Sequence, residues 1–332
     1  GCEYFVIDCG WYSPGYWWDN VGEWQESKER FPNGLKEVTD YIREKGMVPG
    51  VWLELEVMGI CCEKAQRVPD EWFFIRHGRR VYDRVGYIKM DYNIEPGIGT
   101  EYQADSFGDG LLQHERAYLK WLDDVFARYP DLVIENCSSG GQRMDYAMLK
   151  RYSIQSTSDQ ENYLNYASIS ANAPTGLTPE QAAVWSYPLL EGSTEEVVFN
   201  MVNAILLRVH QSGHLAQISP KRRALVKEGL DYYKTIRTDL REALPFWPIG
   251  LSHFGDEWSC LGLRRGNKIY MGVWHREGGH SARELKIPEA AGKKATVRCA
   301  YPSYEGCAYS YASAAGSLTV RMDMNTARLF EI

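Results

Sequence analysis

Tyr87-Ile-Lys-Met-Asp91 is a short apolar run that ends on a carboxylate, and the reading of the whole chain turns on it. Four other runs share its form: Tyr4-Phe-Val-Ile-Asp8, Val51-Trp-Leu-Glu54, Leu132-Val-Ile-Glu-Asn-Cys137 and Ser153-Ile-Gln-Ser-Thr-Ser-Asp159. Short apolar, β-branched runs alternating with helical patterns predict parallel strands joined by crossover helices. In a barrel of such units the carboxyl ends of the strands face one common pocket. A ring of carboxylates there does nothing for folding, because like charges repel and desolvation costs energy. The pattern points to chemistry.

Working outward, strands are expected at 3–8, 47–54, 87–91, 131–136, 152–156, 185–187 and 215–218. Helices are expected at 34–45, closed by Gly46, and at 111–128, 142–150, 179–184, 195–211 and 220–243. Residues 72–82 read as a hairpin turning at His77-Gly78. Parallel neighbours need a crossover of about a dozen residues, and none fits between that hairpin and Tyr87. Either a segment near 83–86 is absent or the hairpin reading fails; the first is favoured. Seven barrel strands make an α/β fold of the (β/α)8 TIM type, incomplete at its N-terminus, over 1–248. Beyond Pro245-Phe-Trp-Pro248 the period changes to two, as in Lys268-Ile-Tyr-Met-Gly-Val-Trp274, which predicts a small antiparallel β-domain over 249–332.

Composition narrows the function classes. The 332 residues carry a formal net charge of -7, which argues against nucleic acid or an anionic membrane as partner. No apolar run approaches the ~20 residues that cross a bilayer, and no signal segment opens the chain. A cytoplasmic location is expected; Gly1 stands where an initiator Met is absent, so an upstream piece is anticipated, and any targeting signal would lie there. The eight cysteines show no C-x-x-C pair, so buried thiols are expected, with a Cys299–Cys307 disulfide the minor alternative. His210 and His214, four apart on an expected helix, lack a third ligand, and no metal or cofactor is expected. The 11 Trp and 22 Tyr include Trp11, Trp17, Trp18, Trp52 and Trp72 near expected strand ends. Such rings suit sugar faces as well as core packing.

Lys89 and Asp91 are two apart on a strand and point the same way. The lysine favours the ionised carboxylate, and an ionised carboxylate is a plausible nucleophile toward an anomeric carbon. The bland reading is a Lys–Asp pair at a barrel rim. Asp159 suits the second carboxyl of such a pair, and equally suits an N-cap for the next helix. Glu135-Asn-Cys-Ser-Ser-Gly-Gly-Gln-Arg-Met-Asp145 offers a backbone that approaches a ligand closely and a planar fork at Arg143.

These strings together resemble glycoside hydrolase family 36, the α-galactosidase and α-N-acetylgalactosaminidase group. Asp8-Cys-Gly-Trp-Tyr resembles its Asp-Asp-Gly-Trp turn, and Trp52-Leu-Glu-Leu-Glu56 its Trp/Phe-x-Glu-Pro-Glu strand end. Lys89-Met-Asp91-Tyr-Asn resembles the nucleophile strand, Cys137-Ser-Ser-Gly-Gly-Gln-Arg143 the Cys-Ser-Gly-Gly-Gly-x-Arg loop, and Ser158-Asp159 the acid/base turn. The likeness covers roughly residues 3–275. It implies a retaining double displacement with Asp91 as nucleophile and Asp159 as acid/base, and no cofactor. Asp8, Cys9, Glu54, Lys89, Cys137, Gly140 and Arg143 would surround the sugar, with Trp52 or Trp72 lining the pocket. Cys9 stands where the best-known members carry a second Asp, which bears on recognition of the 4- or 6-hydroxyl. The family's N-terminal β-domain and first barrel strand are not read here.

The implied substrate is an oligosaccharide or glycoside with a terminal α-galactose-like residue, with a homo-oligomer one possible assembly. The alternatives are an α-N-acetylgalactosaminidase, a galactosyl transferase, or a sugar-binding fragment without turnover. A barrel aldolase using Lys89 as a Schiff base ranks below them, since Asp91 keeps that lysine protonated.

Overall fold

Parallel pairing organises the first half of the chain. The protein is described from a computed structural model covering residues 2–12, 15–59, 61–81 and 89–332, with the side chains at 72, 76 and 79–81 outside that description. The suspected gap near 83–86 lies outside the described residues. Two units are distinguished, Gly1–Ser156 and Thr157–Ile332.

In the first unit, β1 (Tyr4–Ile7), β2 (Val48–Leu53), β5 (Lys89–Met90), β6 (Glu135–Asn136) and β7 (Ile154–Ser156) form a parallel sheet in the order β1-β2-β5-β6-β7. The expected hairpin is present as β3 (Phe74–Arg76) and β4 (Arg79–Val81), with His77 and Gly78 both at positive φ in its turn. Register places Trp52, Lys89 and Glu135 side by side across three strands, which sets up the site. Helix α1 (Leu35–Glu44) starts without a side-chain cap from Gly34; instead Glu26 Oε2 accepts from the Leu35 N–H at 2.7 Å. Helix α2 (Phe107–Arg128) is capped by Ser106 and begins before the expected 111. Asp145 caps α3 (Tyr146–Leu149), the single turn left of the expected 142–150. One apolar cluster packs Trp11, Tyr12, Val21, Trp52 and Leu53; another packs Met90, Tyr118, Leu122, Ile134 and Tyr152.

In the second unit, β8 (Ala182–Ser186) and β9 (Arg208–Gln211) pair in parallel around α5 (Thr194–Ile205), whose residues 196–205 are all buried. Three corrections follow. Residues 179–184 are not a helix: Ala182-Ala-Val184 is strand, because a parallel strand buried on both faces tolerates small apolar residues that read as helix formers. The helix expected over 195–211 stops at Ile205, so His210 lies on a strand and His214 beyond it rather than four apart on one helix. Residues 215–218 form turns, not a strand. Helix α4 (Tyr163–Asn172) was anticipated only in the alternative that made Asp159 the cap of a following helix; it buries Ala and Ser beside Tyr166, without a clean apolar stripe. The count of seven parallel strands among the described residues stands.

Helix α6 (Pro220–Leu240) opens on Ser219 and Pro220. A buried pair, Arg222 Nη2 to Glu196 Oε2 at 2.6 Å, ties it to α5. The antiparallel region comprises β10 (Leu244–Phe246), β11 (Trp258–Arg265), β12 (Lys268–His275), β13 (Ala282–Lys286), β14 (Arg298–Tyr301), β15 (Ala308–Ala312), β16 (Ser317–Arg321) and β17 (Thr326–Glu331). They form one sheet in the order β10-β11-β12-β17-β14 and another in the order β13-β16-β15. The texture change read at 248 falls just inside this region, since Leu244–Phe246 is its edge strand. No disulfide forms between Cys299 and Cys307, and Cys2, Cys9 and Cys61 are exposed rather than buried. No helix among the described residues is long and apolar enough to cross a membrane.

Candidate active site

Asp91 follows β5 directly and is 5% exposed. Its peptide N–H extends the sheet by donating to Leu53 O at 3.1 Å. A carboxylate so buried needs hydrogen-bond donors, and it has two. The Trp52 indole N–H donates to Oδ2 at 3.0 Å, and the Tyr92 amide donates to Oδ1 at 3.0 Å. Bonds to a charged group are worth about 1.5–3 kcal/mol each, so both oxygens are held in fixed directions. Trp52 itself is 1% exposed, wedged against Tyr12 and Trp17 with its carbonyl accepting from the Trp11 indole at 2.7 Å. Expected to line a pocket, it acts on Asp91 through its N–H instead.

Lys89, two residues earlier, is also buried, and its Nζ lies 3.6 Å from Asp8 Oδ2. Burial works against its charge, but Cys137, Asp8, Glu135 and Asp91 outweigh that and raise its pKa. The ammonium form is therefore favoured. Asp8 and Cys9 follow β1 at an open rim, where the Cys9 amide donates to Asp8 Oδ1 at 2.8 Å. Partial desolvation and the Asp8 charge push the Cys9 thiol up to about 11, so it is neutral at physiological pH.

A second layer comes from the strand-end loops. Glu54 is fully buried and accepts from both the amide and the Nδ2 of Asn93, the latter at 3.0 Å. Asn93 Oδ1 accepts in turn from the amide and hydroxyl of Ser139, each at 2.9 Å. Ser139 and Gly140 both have positive φ, a turn that glycine makes without strain at its second position. Cys137 is fully buried, its amide donating to Met90 O at 2.9 Å, and Gly140 is buried beside it.

Arg143, expected to offer its fork to sugar hydroxyls, turns inward. Nη1 and Nη2 bond the two oxygens of Glu56, and Nη2 also reaches Glu115 Oε2 at 3.1 Å. Its guanidinium lies 4.2 Å from the Tyr92 ring centroid and 4.8 Å from that of Tyr118. Glu56 additionally meets His114 Nε2 at 2.6 Å. Burial would raise the Glu56 carboxyl, but His114 and Arg143 overcome it and hold its pKa below the ordinary glutamate range. Ligand atoms of Glu56, His114 and Glu115 lie within 4.8 Å of one another, a spacing that fits a metal. Arg143 already supplies the cation there, so the donor set fits an internal ion pair.

Asp159 belongs to the second unit, exposed on the loop after Ser156. It does not cap α4: Asn162 does, accepting from the amides of Leu164 and Asn165 at 3.0 and 3.2 Å. The capping alternative for Asp159 is thereby removed. The Trp72 side chain lies outside the described residues. Sequence reasoning missed Asn93, Tyr92, Glu56 and His114 as members of the site. The first three sat within quoted strings, but His114 on α2 carries no local signal.

With the geometry in hand, comparison with known proteins is informative. A family model described as Melibiase matches residues 1–123. Alpha-galactosidase Mel36A of Lactobacillus acidophilus is 29% identical over 178 residues, 44% of this chain and 24% of that one. An alpha-galactosidase of Escherichia coli is 26% identical over 211 residues, 54% of this chain and 29% of the relative. A solved variant of the GH36 alpha-galactosidase AgaA of Geobacillus stearothermophilus, in complex with raffinose, matches with a TM-score of 0.79 at 15% identity. That match covers 99% of this chain and 51% of the solved one, so the chain spans about half of that relative's length. The fold is that of an incomplete (β/α) barrel followed by an antiparallel β-domain. By sequence over residues 1–123, and by fold over nearly its whole length, the chain is similar to the α-galactosidases of glycoside hydrolase family 36, as its ordered motifs imply.

Proposed function

We propose that this protein is a retaining glycoside hydrolase acting on terminal α-linked galactose-like residues. The observation that carries the reading is the Asp91 carboxylate: buried at the end of β5, two residues from a buried lysine, with each oxygen held by its own N–H donor. Asp91 attacks the anomeric carbon as the bond to the leaving oxygen breaks, and Asp159 transfers its proton to that oxygen. Water then adds to the anomeric carbon, gives its proton to Asp159 and releases Asp91 as carboxylate. The role of Asp159 rests on the Ser158-Asp159 motif and on the helix start not requiring it as a cap.

Asp8 at the open rim, paired with the buried Lys89, suits sugar hydroxyls, while Glu54 orients Asn93. Cys9 adds a neutral thiol where related turns carry a second carboxylate. Raffinose is bound by a structurally similar protein, so α-galactosyl oligosaccharides are the first substrates to try. The test is release of nitrophenol from a nitrophenyl α-galactoside by the whole protein, with Asp91→Asn as control. A 2-fluoro galactosyl reagent should leave its mass on the peptide containing Asp91. Binding without release by the unaltered protein favours the sugar-binding alternative, and faster release from the N-acetylgalactosaminide favours that specificity.

A further inference from the structure

Arg143 is tied on every side. Its guanidinium bonds Glu56 and Glu115, the Tyr92 and Tyr118 rings flank it, and its carbonyl accepts from Asn136 Nδ2 at 2.9 Å. The side chain is only 12% exposed. To reach a sugar, the fork must release Glu56, a carboxylate 5% exposed, and leave so buried a charge with His114 but without its guanidinium partner, a costly loss. Tyr92 is where this clamp meets the chemistry. Its ring packs on Arg143, its carbonyl accepts from buried Ser138 Oγ at 2.5 Å, and its N–H donates to Asp91 Oδ1.

We infer that Arg143, braced by Glu56 and His114, is a positioning residue for the Asp91 carboxylate, acting through Tyr92 and making no contact with the sugar. The inference rests on the reading of Asp91 as nucleophile. Displacing a reacting group by about 1 Å costs on the order of a hundredfold in rate. A peptide fixed at ring, carbonyl and amide is a direct way to prevent that displacement.

The experiment uses the whole protein with nitrophenyl α-galactoside and the variants Arg143→Ala and Arg143→Lys. For Arg143→Ala, kcat should fall about a hundredfold with KM within about twofold of the unaltered protein. Sub-denaturing guanidinium chloride should restore kcat where methylammonium does not. Arg143→Lys retains a charge against Glu56 without the fork, and should show the same kcat-weighted loss if the alanine variant does not fold. A rise in KM at retained kcat in either variant makes Arg143 a sugar ligand and overturns the inference, as does wild-type turnover in both. If the unaltered protein shows no Asp91-dependent turnover, the functional reading fails and the inference with it; a KM shift against intact, Asp91-dependent turnover sinks the inference alone.

Discussion

Arg143 in the first unit, its side chain 12% exposed, and Arg328 in the second, 1% exposed, use the same parts to different ends. Arg143 pairs with Glu56 and packs on Tyr92; Arg328 pairs with Glu195 at 2.8 Å and lies 5.6 Å from the Tyr304 ring. Their partners differ. The Glu56 side chain is 5% exposed, whereas that of Glu195 is 31% exposed. Arg328 also bonds the carbonyls of Glu305 and Gly306, both at positive φ, and so pins the turn between β14 and β15. Arg143 instead braces the residue whose amide orients Asp91. On the proposed reading, one guanidinium serves reactivity and the other shape.

That contrast can be broken by measurement. The largest effect belongs to the proposed nucleophile: Asp91→Asn should lower turnover more than about a thousandfold with a small fall in melting temperature, because the amide keeps the shape while its NH2 faces one of the two N–H donors. Next, Arg328→Met should cost about 2–4 kcal/mol of stability, read by urea denaturation, with kcat per folded molecule unchanged. Activity lost at full stability in that variant would erase the distinction drawn here. Trp52→Phe removes one donor from Asp91 and keeps most of the packing; a roughly tenfold to hundredfold loss in kcat is expected from a bond of about 1.5–3 kcal/mol.

The smallest effect is a pH signature in the second unit. Asp239 accepts from Lys268 at 2.8 Å, from Tyr270 at 2.6 Å and from Arg265, and the Lys268 bond leads the causes that depress its carboxyl strongly. A depressed pKa stabilises the fold fully above the unfolded value near ~4 and loses that contribution as pH falls toward the depressed value. Asp239→Asn should therefore be less stable at neutral pH, with the gap to the unaltered protein closing below pH ~4. A gap that stays constant with pH assigns the loss to packing.

Sequence carried the site's nucleus because its grammar is local. Lys89 and Asp91 share a face by strand alternation, and the Ser139–Gly140 turn announces itself by composition. What Arg143 does was not legible, since its partner Glu56 lies 87 positions away and a fork reads the same whether it faces sugar or carboxylate. In the fold, α4 and β8 were misread for related reasons. Ala182-Ala-Val184 is helix-prone by propensity, and burial on both faces overrode it. Tyr163–Asn172 has apolar and small polar residues on the same buried side, so periodicity was silent and Asn162 was its one mark. By contrast, the hairpin around His77-Gly78 needed only its turn residues to be found.

Lys89 leaves one consequence for how the site meets its surroundings. Because neighbouring anions hold its proton so firmly, it behaves as a resident counter-ion grafted onto the backbone. Chelators have nothing to strip from it, and dissolved salts cannot exchange with it. The positive half of the charge balance around Asp91 should thus hold through neutral pH.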